Sequence, residues 1–355
     1  MAAHVLALGV ALLLYALPHH VIPHGENIVG VTSSRGSAEP QTAAAQATNL
    51  EQAIAEELSY DVEAPEEAAT YDFVSAETAV PQAAQESQPE PQTAQVGDFR
   101  DALAGHFTSG DVVITDTGYQ SANISVQMSR EYMEDAKAWV YIADIYIADI
   151  SCLTTAFSQD QYGRGYTEWI AKVVERLDAV IAINGDYYGT RDTGVVIRNG
   201  MLYRDNKTTN DIAILYWDGH METFSPDAFD AVREMERGAY QSWCFGPMLL
   251  DETGTPLGIF NAGYSLIRKN PRTAIGYYEP GHYCFVTVDG RNDESVGATI
   301  PQLARLMQSH GCKLAFNLDG GQTSLMYAGS RMINNPSDGG RSSSDYILIV
   351  DRVTK

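Results

Sequence analysis

Four short stretches of the chain set carboxylates, amides and guanidinium groups directly against apolar runs. They are Asn184-Gly185-Asp186 with Tyr187 and Tyr188, Asn270-Pro271-Arg272-Thr273, Val288-Asp289-Gly290-Arg291, and Asn317-Leu318-Asp319-Gly320-Gly321, the last followed by Gln322-Thr323-Ser324. A buried strand that ends in such groups delivers them to a sheet edge. If four edges converge, the result is a pocket of carboxylates, amides and two guanidinium groups, the arrangement of a ligand cleft. Taken singly, each stretch also reads as ordinary structure. Asp-Gly and Asn-Gly are common hairpin turns, Arg272 after a proline reads as a surface residue, and Tyr187 or Tyr188 reads as core with a satisfied hydroxyl. The co-occurrence of four such ends carries the expectation.

The elements around them follow from periodicity. "NISVQMSREYM" alternates, and "AWVYIADIYIADI" is β-branched and aromatic with two distinct faces, so both read as strands. "GYTEWIAKVVERLDA" places Trp169, Val173, Val174 and Leu177 at helical spacing with Thr167 as its cap, and it feeds "VIAINGDYY". "TIPQLARLMQSHGC" repeats the unit, with Pro301 in its first turn and Gly311 near its end, and feeds "KLAFNLDGG". Further strands are expected at "DIAILYWDG", "FGPMLLDETG" and "HYCFVTVDGR". The fold class is therefore α+β: a mixed β-sheet core with a few packed helices, in a single globular domain over residues 99–355. P-loop, GxGxxG, HExxH and GxSxG patterns do not occur, which argues against nucleotide-binding, zincin and serine-hydrolase chemistry.

The first hundred residues differ in kind. Val5 to Pro18 is an apolar run of about 14 residues, short of the roughly 20 that a spanning helix needs. Residues 1–24 read as a signal anchor or as a cleaved signal peptide, and both put the bulk of the chain outside the cytoplasm, with a membrane tether in the first case. Residues 25–98 are rich in Ala, Gln, Glu, Pro, Ser and Thr and read as an acidic disordered linker. That linker carries about half of the formal charge of −23, so the acidity is a property of a solvated spacer rather than of a substrate site. No basic patch is present for a phosphate backbone, and nucleic acid is not expected as a partner.

The four cysteines, Cys152, Cys244, Cys284 and Cys312, lack CxxC spacing and do not suggest zinc. They read either as one or two disulfides or as buried thiols. No cofactor is required. Asp289 to Glu294 offers oxygen donors for a Ca²⁺ ion, though without EF-hand spacing.

The set "AINGDYY", "GVVIRNG", "FGPMLL", "NPRTAIGY", "VDGR", "LARLMQSHGC", "FNLDGGQTS" and "INNPSDGGR", in that order from about Val180 to Val350, resembles the phosphodiester glycosidase family. The resemblance implies cleavage of a sugar-1-phosphodiester between the anomeric carbon and oxygen, releasing a sugar and a phosphomonoester. It suits a phosphorylated glycan of the cell envelope or an exopolysaccharide. A phosphomonoester departs as a stable anion, so the site must cradle that anion and face the developing oxocarbenium ion with a carboxylate. Asp186 and Asp319, and next Asp289, are the catalytic candidates; an alternative is that one of them holds an arginine in place. Arg272 and Arg291, with Thr273, are candidates for the phosphate. The N–H groups of Gly320 and Gly321 and the hydroxyls of Thr323 and Ser324 complete an anion cradle. Asn184, Gly185, Asn317 and Tyr188 suit the sugar, and Arg341 in "PSDGGR" matches a family arginine. Gln322 and Thr323 stand where the family pattern often has Gly and Ser, and a glycine there would allow positive φ. The competing reading is a carbohydrate-binding or polysaccharide-assembly module that keeps the pocket without the chemistry.

Overall fold

A computed structural model describes residues 96–352. The expected apolar segment at 1–24 and nearly all of the 25–98 linker lie outside the described residues. Among the described residues, no helix is long and apolar enough to cross a membrane.

Two antiparallel sheets build the body. The larger has seven strands in the order β1 (Val113–Ile114), β2 (Gly118–Gln120), β3 (Ile124–Met133), β4 (Ala138–Ile147), β13 (His282–Val288), β12 (Arg272–Glu279) and β14 (Leu314–Asn317). The smaller has five, in the order β16 (Arg331–Met332), β15 (Met326–Ala328), β6 (Ala179–Asn184), β17 (Asp345–Val350) and β5 (Leu153–Phe157). A hairpin of β7 (Gly194–Arg198) and β8 (Met201–Asn206) and a three-stranded sheet, β10 (Met221–Phe224), β9 (Ile212–Tyr216) and β11 (Ala239–Trp243), stand beside them. Every pairing among these strands is antiparallel, where the sequence reading expects a mixed sheet. Short turns join β3 to β4 and β12 to β13, and a short turn can only bring a strand back antiparallel.

The alternation of apolar residues explains the layers. Ala143, Ile145, Tyr283, Phe285, Ile275 and Phe316 of the large sheet pack against Ile181, Ile183, Ile347 and Ile349 of the small one. Alternate residues of the large sheet, Val140, Ile142, Cys284, Val286 and Ala274, face α4 (Ile300–Ser309), which buries Ile300, Leu303, Ala304 and Met307. Ala182 and Leu348 on the far face of the small sheet meet Ile170, Val173 and Val174 of α1 (Ile170–Leu177). The order is thus helix, sheet, sheet, helix, with each buried Ile, Leu or Val contributing roughly 1.5–3 kcal/mol. Two short helices, α2 (Ala231–Glu236) and α3 (Tyr264–Ile267), complete the described elements that position the site.

Both helix-to-strand units form where periodicity places them. α4 is closed by a capping box in which Thr299 accepts from the Gln302 N–H and the Gln302 side chain accepts from the Thr299 N–H, with Pro301 in the first turn. Thr167 does not cap α1. Trp169 occupies the cap position with no side-chain bond, because the helix begins only at Ile170.

Candidate active site

The two helix-to-strand units bring β6 and β14 together end on. Asn184, the last residue of β6, donates from Nδ2 to the main-chain carbonyl of Asp319 at 2.8 Å, and the Asp319 N–H donates back to the Gly185 carbonyl at 3.3 Å. Asn184 Oδ1 accepts from Thr273 Oγ1 at 2.7 Å and from the Leu325 N–H at 3.2 Å. The 270–273 stretch joins through Pro271, whose carbonyl accepts from the Gly321 N–H, and the 288–291 stretch through Arg291, which donates to Asn270 Oδ1 at 2.6 Å. All four polar strand ends converge, but several of their groups are used up in holding one another.

Asn184 and Thr273 are therefore staples rather than ligand groups. Asn317 donates to the Gly246 carbonyl at 2.6 Å and is fully buried. Gly185 is small for a reason: a Cβ there would sit 2.1 Å from an Asp345 carboxylate oxygen. Tyr188 is buried, its hydroxyl accepting from the Gly163 N–H and donating to the Gln161 carbonyl.

Arg272 is also spent. It donates to the carbonyls of Ala298, Leu266 and Arg268, so its expected phosphate role gives way to holding the α3 turn. Burial, with the Arg291 charge adding to it, pulls its pKa down to about 9. Arg291 itself is exposed, sits in left-handed backbone at φ 56°, and lies over Gly321.

Asp186 turns out to be an arginine holder. Its carboxylate meets Arg198 at 2.9 Å and Arg191 at 3.4 Å and accepts from the Cys244 N–H at 2.8 Å. Arg198 bridges on to Asp345 at 2.8 Å, and all three side chains are buried. Burial pulls the Arg198 guanidinium down, but the two carboxylates more than offset this and hold it above its ordinary value. Burial and the Asp186 charge push Asp345 up to about 6, against the pull of Arg198. A carboxylate so fully engaged is poorly suited to attack.

Asp289 is a second internal anchor. It accepts from Asn334 Nδ2 at 2.9 Å and from the Asn335 N–H at 3.0 Å, and Asn334 in turn donates to the Ser324 carbonyl at 2.9 Å. Burial raises its pKa to about 6, opposed by those hydrogen bonds. Among the described residues no group of three or more His, Cys, Asp or Glu is arranged to hold a metal ion.

The third candidate carboxylate, Asp319, has no direct ion pair of its own among the described residues. It follows β14 by two residues and is 7% exposed. Thr323 Oγ1 donates to one of its oxygens at 2.6 Å and the Gly320 N–H to the other at 2.9 Å. Burial raises its pKa above the ordinary carboxylate range, opposed by Thr323, by Gly320, and by the charges of Arg341 and Arg191. The Thr323 hydroxyl and the Gly320 N–H are thus orienters of Asp319, and the Gly321 N–H is taken by Pro271. Ser324 Oγ is buried without a partner.

Two arginines flank this carboxylate. Arg191 is anchored to Asp186 and to the Cys244 carbonyl at 3.1 Å, with about a fifth of its side chain open. Arg341 is exposed and lies over the Tyr187 ring, its guanidinium carbon 5.0 Å from the centroid. Tyr187 is in left-handed backbone at φ 52°, a strained turn that the Tyr187 N–H to Asp345 bond at 3.1 Å holds. Gln322 donates to Asp338 at 2.9 Å and its carbonyl accepts from the Arg341 N–H, clasping the Arg341 loop to the Asp319 loop. The left-handed residue is Gly321, φ 69°, and Gln322 is not among the positive-φ positions, so its side chain is accommodated.

A profile of the phosphodiester glycosidase family matches this region end to end, from Asp178 to Val350. Residues 178–350 are thus similar to a phosphodiester glycosidase domain. A protein of Bacillus subtilis (strain 168), described as the SPbeta prophage-derived uncharacterized protein YomE, is 33% identical over 186 residues, which are 50% of this chain and 29% of that one. The chain thus spans less than a third of that curated relative. The catalytic domain of zebrafish N-acetylglucosamine-1-phosphodiester alpha-N-acetylglucosaminidase, solved in a form auto-inhibited by its pro-peptide, superposes with a TM-score of 0.53 at 20% identity. That match covers 64% of this chain and 83% of the zebrafish one. A hypothetical protein from Synechocystis matches over 68% of this chain and 64% of its own, at 12% identity and a TM-score of 0.49. Within residues 178–350 the residues that sequence reading passes over are Arg191, Arg198 and Asp345. The signal for Arg198 was present, a lone charge in the buried strand "GVVIR".

Proposed function

We propose that the phosphodiester glycosidase domain hydrolyses sugar-1-phosphodiesters at the bond between the anomeric carbon and its oxygen. The observation that carries this reading is the setting of Asp319, a carboxylate oriented through both oxygens and flanked by Arg191 and Arg341. Asp319 faces the anomeric carbon and stabilises its developing positive charge or activates the water that adds to it. Arg341, Arg191 and the exposed Arg291 take the charge of the departing phosphomonoester. The water's oxygen ends on the sugar, its protons divide between the new hydroxyl and the buffered phosphate, and no redox partner is needed. The setting we assign is extracytoplasmic, on phosphorylated glycans of the cell envelope or exopolysaccharide, with the N-terminal segment as the route to a membrane.

Hydrolysis of a panel of sugar-1-phosphodiesters in oxygen-18 water tests the bond assignment. Label in the released sugar supports it; label in the phosphate would mean cleavage at phosphorus and would reject it. Saccharide binding without turnover on any member of the panel would favour a binding module instead.

A further inference from the structure

Cys284 Sγ and Cys312 Sγ stand 3.7 Å apart in the layer between the large sheet and α4. We infer that these two thiols are a disulfide pair, which an external disulfide oxidant joins and which then ties β13 to the turn between α4 and β14. The inference does not depend on the glycosidase reading.

Three strands set up the contact. Cys284 lies in β13 opposite Gly276 of β12, and Gly276 lies opposite Ala315 of β14. The two sulfurs therefore belong to segments separated by a whole strand, and they meet over the backbone of that strand. Gly276 makes this possible: a Cβ there would sit 2.6 Å from Cys284 Sγ, 2.7 Å from Cys312 Sγ and 2.7 Å from the Met307 methyl. Closing 3.7 Å to the ~2.05 Å of a disulfide takes a shift of less than about 2 Å, shared between two side chains.

The pair is unequal in access and in acidity. Cys284 is fully buried within its strand, whereas Cys312 sits between the exposed Gly311 and Lys313, just after α4. The Cys284 S–H, and after it the Tyr278 hydroxyl, hold the Cys312 thiol below its ordinary pKa against the opposing effect of burial. Cys312 is thus both the first to ionise and the nearer to solvent. Its thiolate attacks one sulfur of an external disulfide and expels the first thiolate. Cys284 then gives its proton to solvent, attacks Cys312 Sγ and expels the second. The two cysteines lose two electrons and two protons in all, and the oxidant leaves as two thiols.

The other two cysteines are placed differently. Cys152 lies in the core between the two main sheets, and Cys244 lies in a separate cluster where its Sγ donates to Thr208 Oγ1 at 3.6 Å. The oxidised chain should therefore hold one bridge and two free thiols. Because β14 ends at Asn317, two residues before Asp319, the bridge braces the strand that carries the proposed site.

The test unfolds the full chain in urea with reductant, refolds it in excess glutathione disulfide, and alkylates the remaining thiols before peptide mass spectrometry. Alkylation of Cys152 and Cys244 is expected, with a cross-linked peptide holding Cys284 and Cys312. The bridge spans 28 positions, so the oxidised chain should melt about 5 °C or more above the dithiothreitol-reduced chain. That difference should vanish in Cys284→Ala and in Cys312→Ala. Four alkylated cysteines in the refolded chain, glutathione retained on Cys312 without a cross-link, or a bridge made by any other pair overturns the assignment. So does a cross-linked chain that melts no higher than the reduced one, because the bond would then strain the fold rather than brace it. Both main readouts use the native chain, so a variant that fails to fold does not spare the inference from them.

Discussion

Asn184 Nδ2 donates to the Asp319 main-chain carbonyl at 2.8 Å, fastening the end of a strand in one sheet to the loop that follows β14 of the other. The same side-chain amide donates to the Gly185 carbonyl at 3.2 Å and accepts from Thr273 and Leu325, so four groups depend on it. Asn184→Ala leaves buried donors and an acceptor unpaired and is expected to cost about 2–3 kcal/mol in urea unfolding. The folded fraction should lose kcat more than KM, because the loop that aims Asp319 is loosened. A KM effect alone would return Asn184 to a substrate-binding role.

Arg198 lies between Asp186 and Asp345 with all three side chains buried. Arg198→Met leaves Asp345 without a cation and Asp186 with only the longer contact to Arg191, which is expected to cost about 3–5 kcal/mol. A urea midpoint close to that of the native chain would mean the cluster does not carry the load assigned to it.

The charge of Arg341 lowers the pKa of Asp319 against the larger effect of burial. In the proposed mechanism Asp319 acts as a carboxylate, so activity is expected to fall as pH drops through its raised pKa. Removing the cation raises that pKa further, and the acid limb of kcat/KM in Arg341→Ala should move to higher pH, with kcat/KM lower by about tenfold or more. A limb that stays in place would separate Arg341 from Asp319.

Asp289 has a folded pKa of about 6 against an ordinary value of 3.8. The folded chain holds that proton more tightly than the unfolded chain. Its stabilising effect is complete below pH 3.8 and is lost as pH rises through about 6, on the order of 3 kcal/mol in all. Asp345 titrates in the same window. Unfolding of Asp289→Asn measured across this window should therefore show a shallower decline than the native chain, though not a flat one.

Much of this arrangement was legible in the sequence. The helix period in "IAKVVERL" and "IPQLARLM" and the apolar strands after them located β6 and β14, and the polar residues at their ends marked the place where the sheets meet. The division of labour among those polar residues was not legible. Asp186 and Asp319 look alike in sequence, and only contacts from Arg198, 12 residues from Asp186, and Asp345, 147 residues from Arg198, separate a buried ion pair from a reactive carboxylate. Arg272 likewise reads as a phosphate ligand until the carbonyls of the α3 turn are seen to claim it. Gln322 reads as a disturbed glycine until Gly321 is found to carry the left-handed backbone.

The central claim is that Asp319 is the reacting carboxylate and Asp186 is not. Its most direct test is single-turnover hydrolysis of a sugar-1-phosphodiester by the native chain and by Asp319→Asn, with circular dichroism confirming the fold of each. The account predicts that the variant binds the diester and releases no sugar. Undiminished release from the folded variant would contradict it.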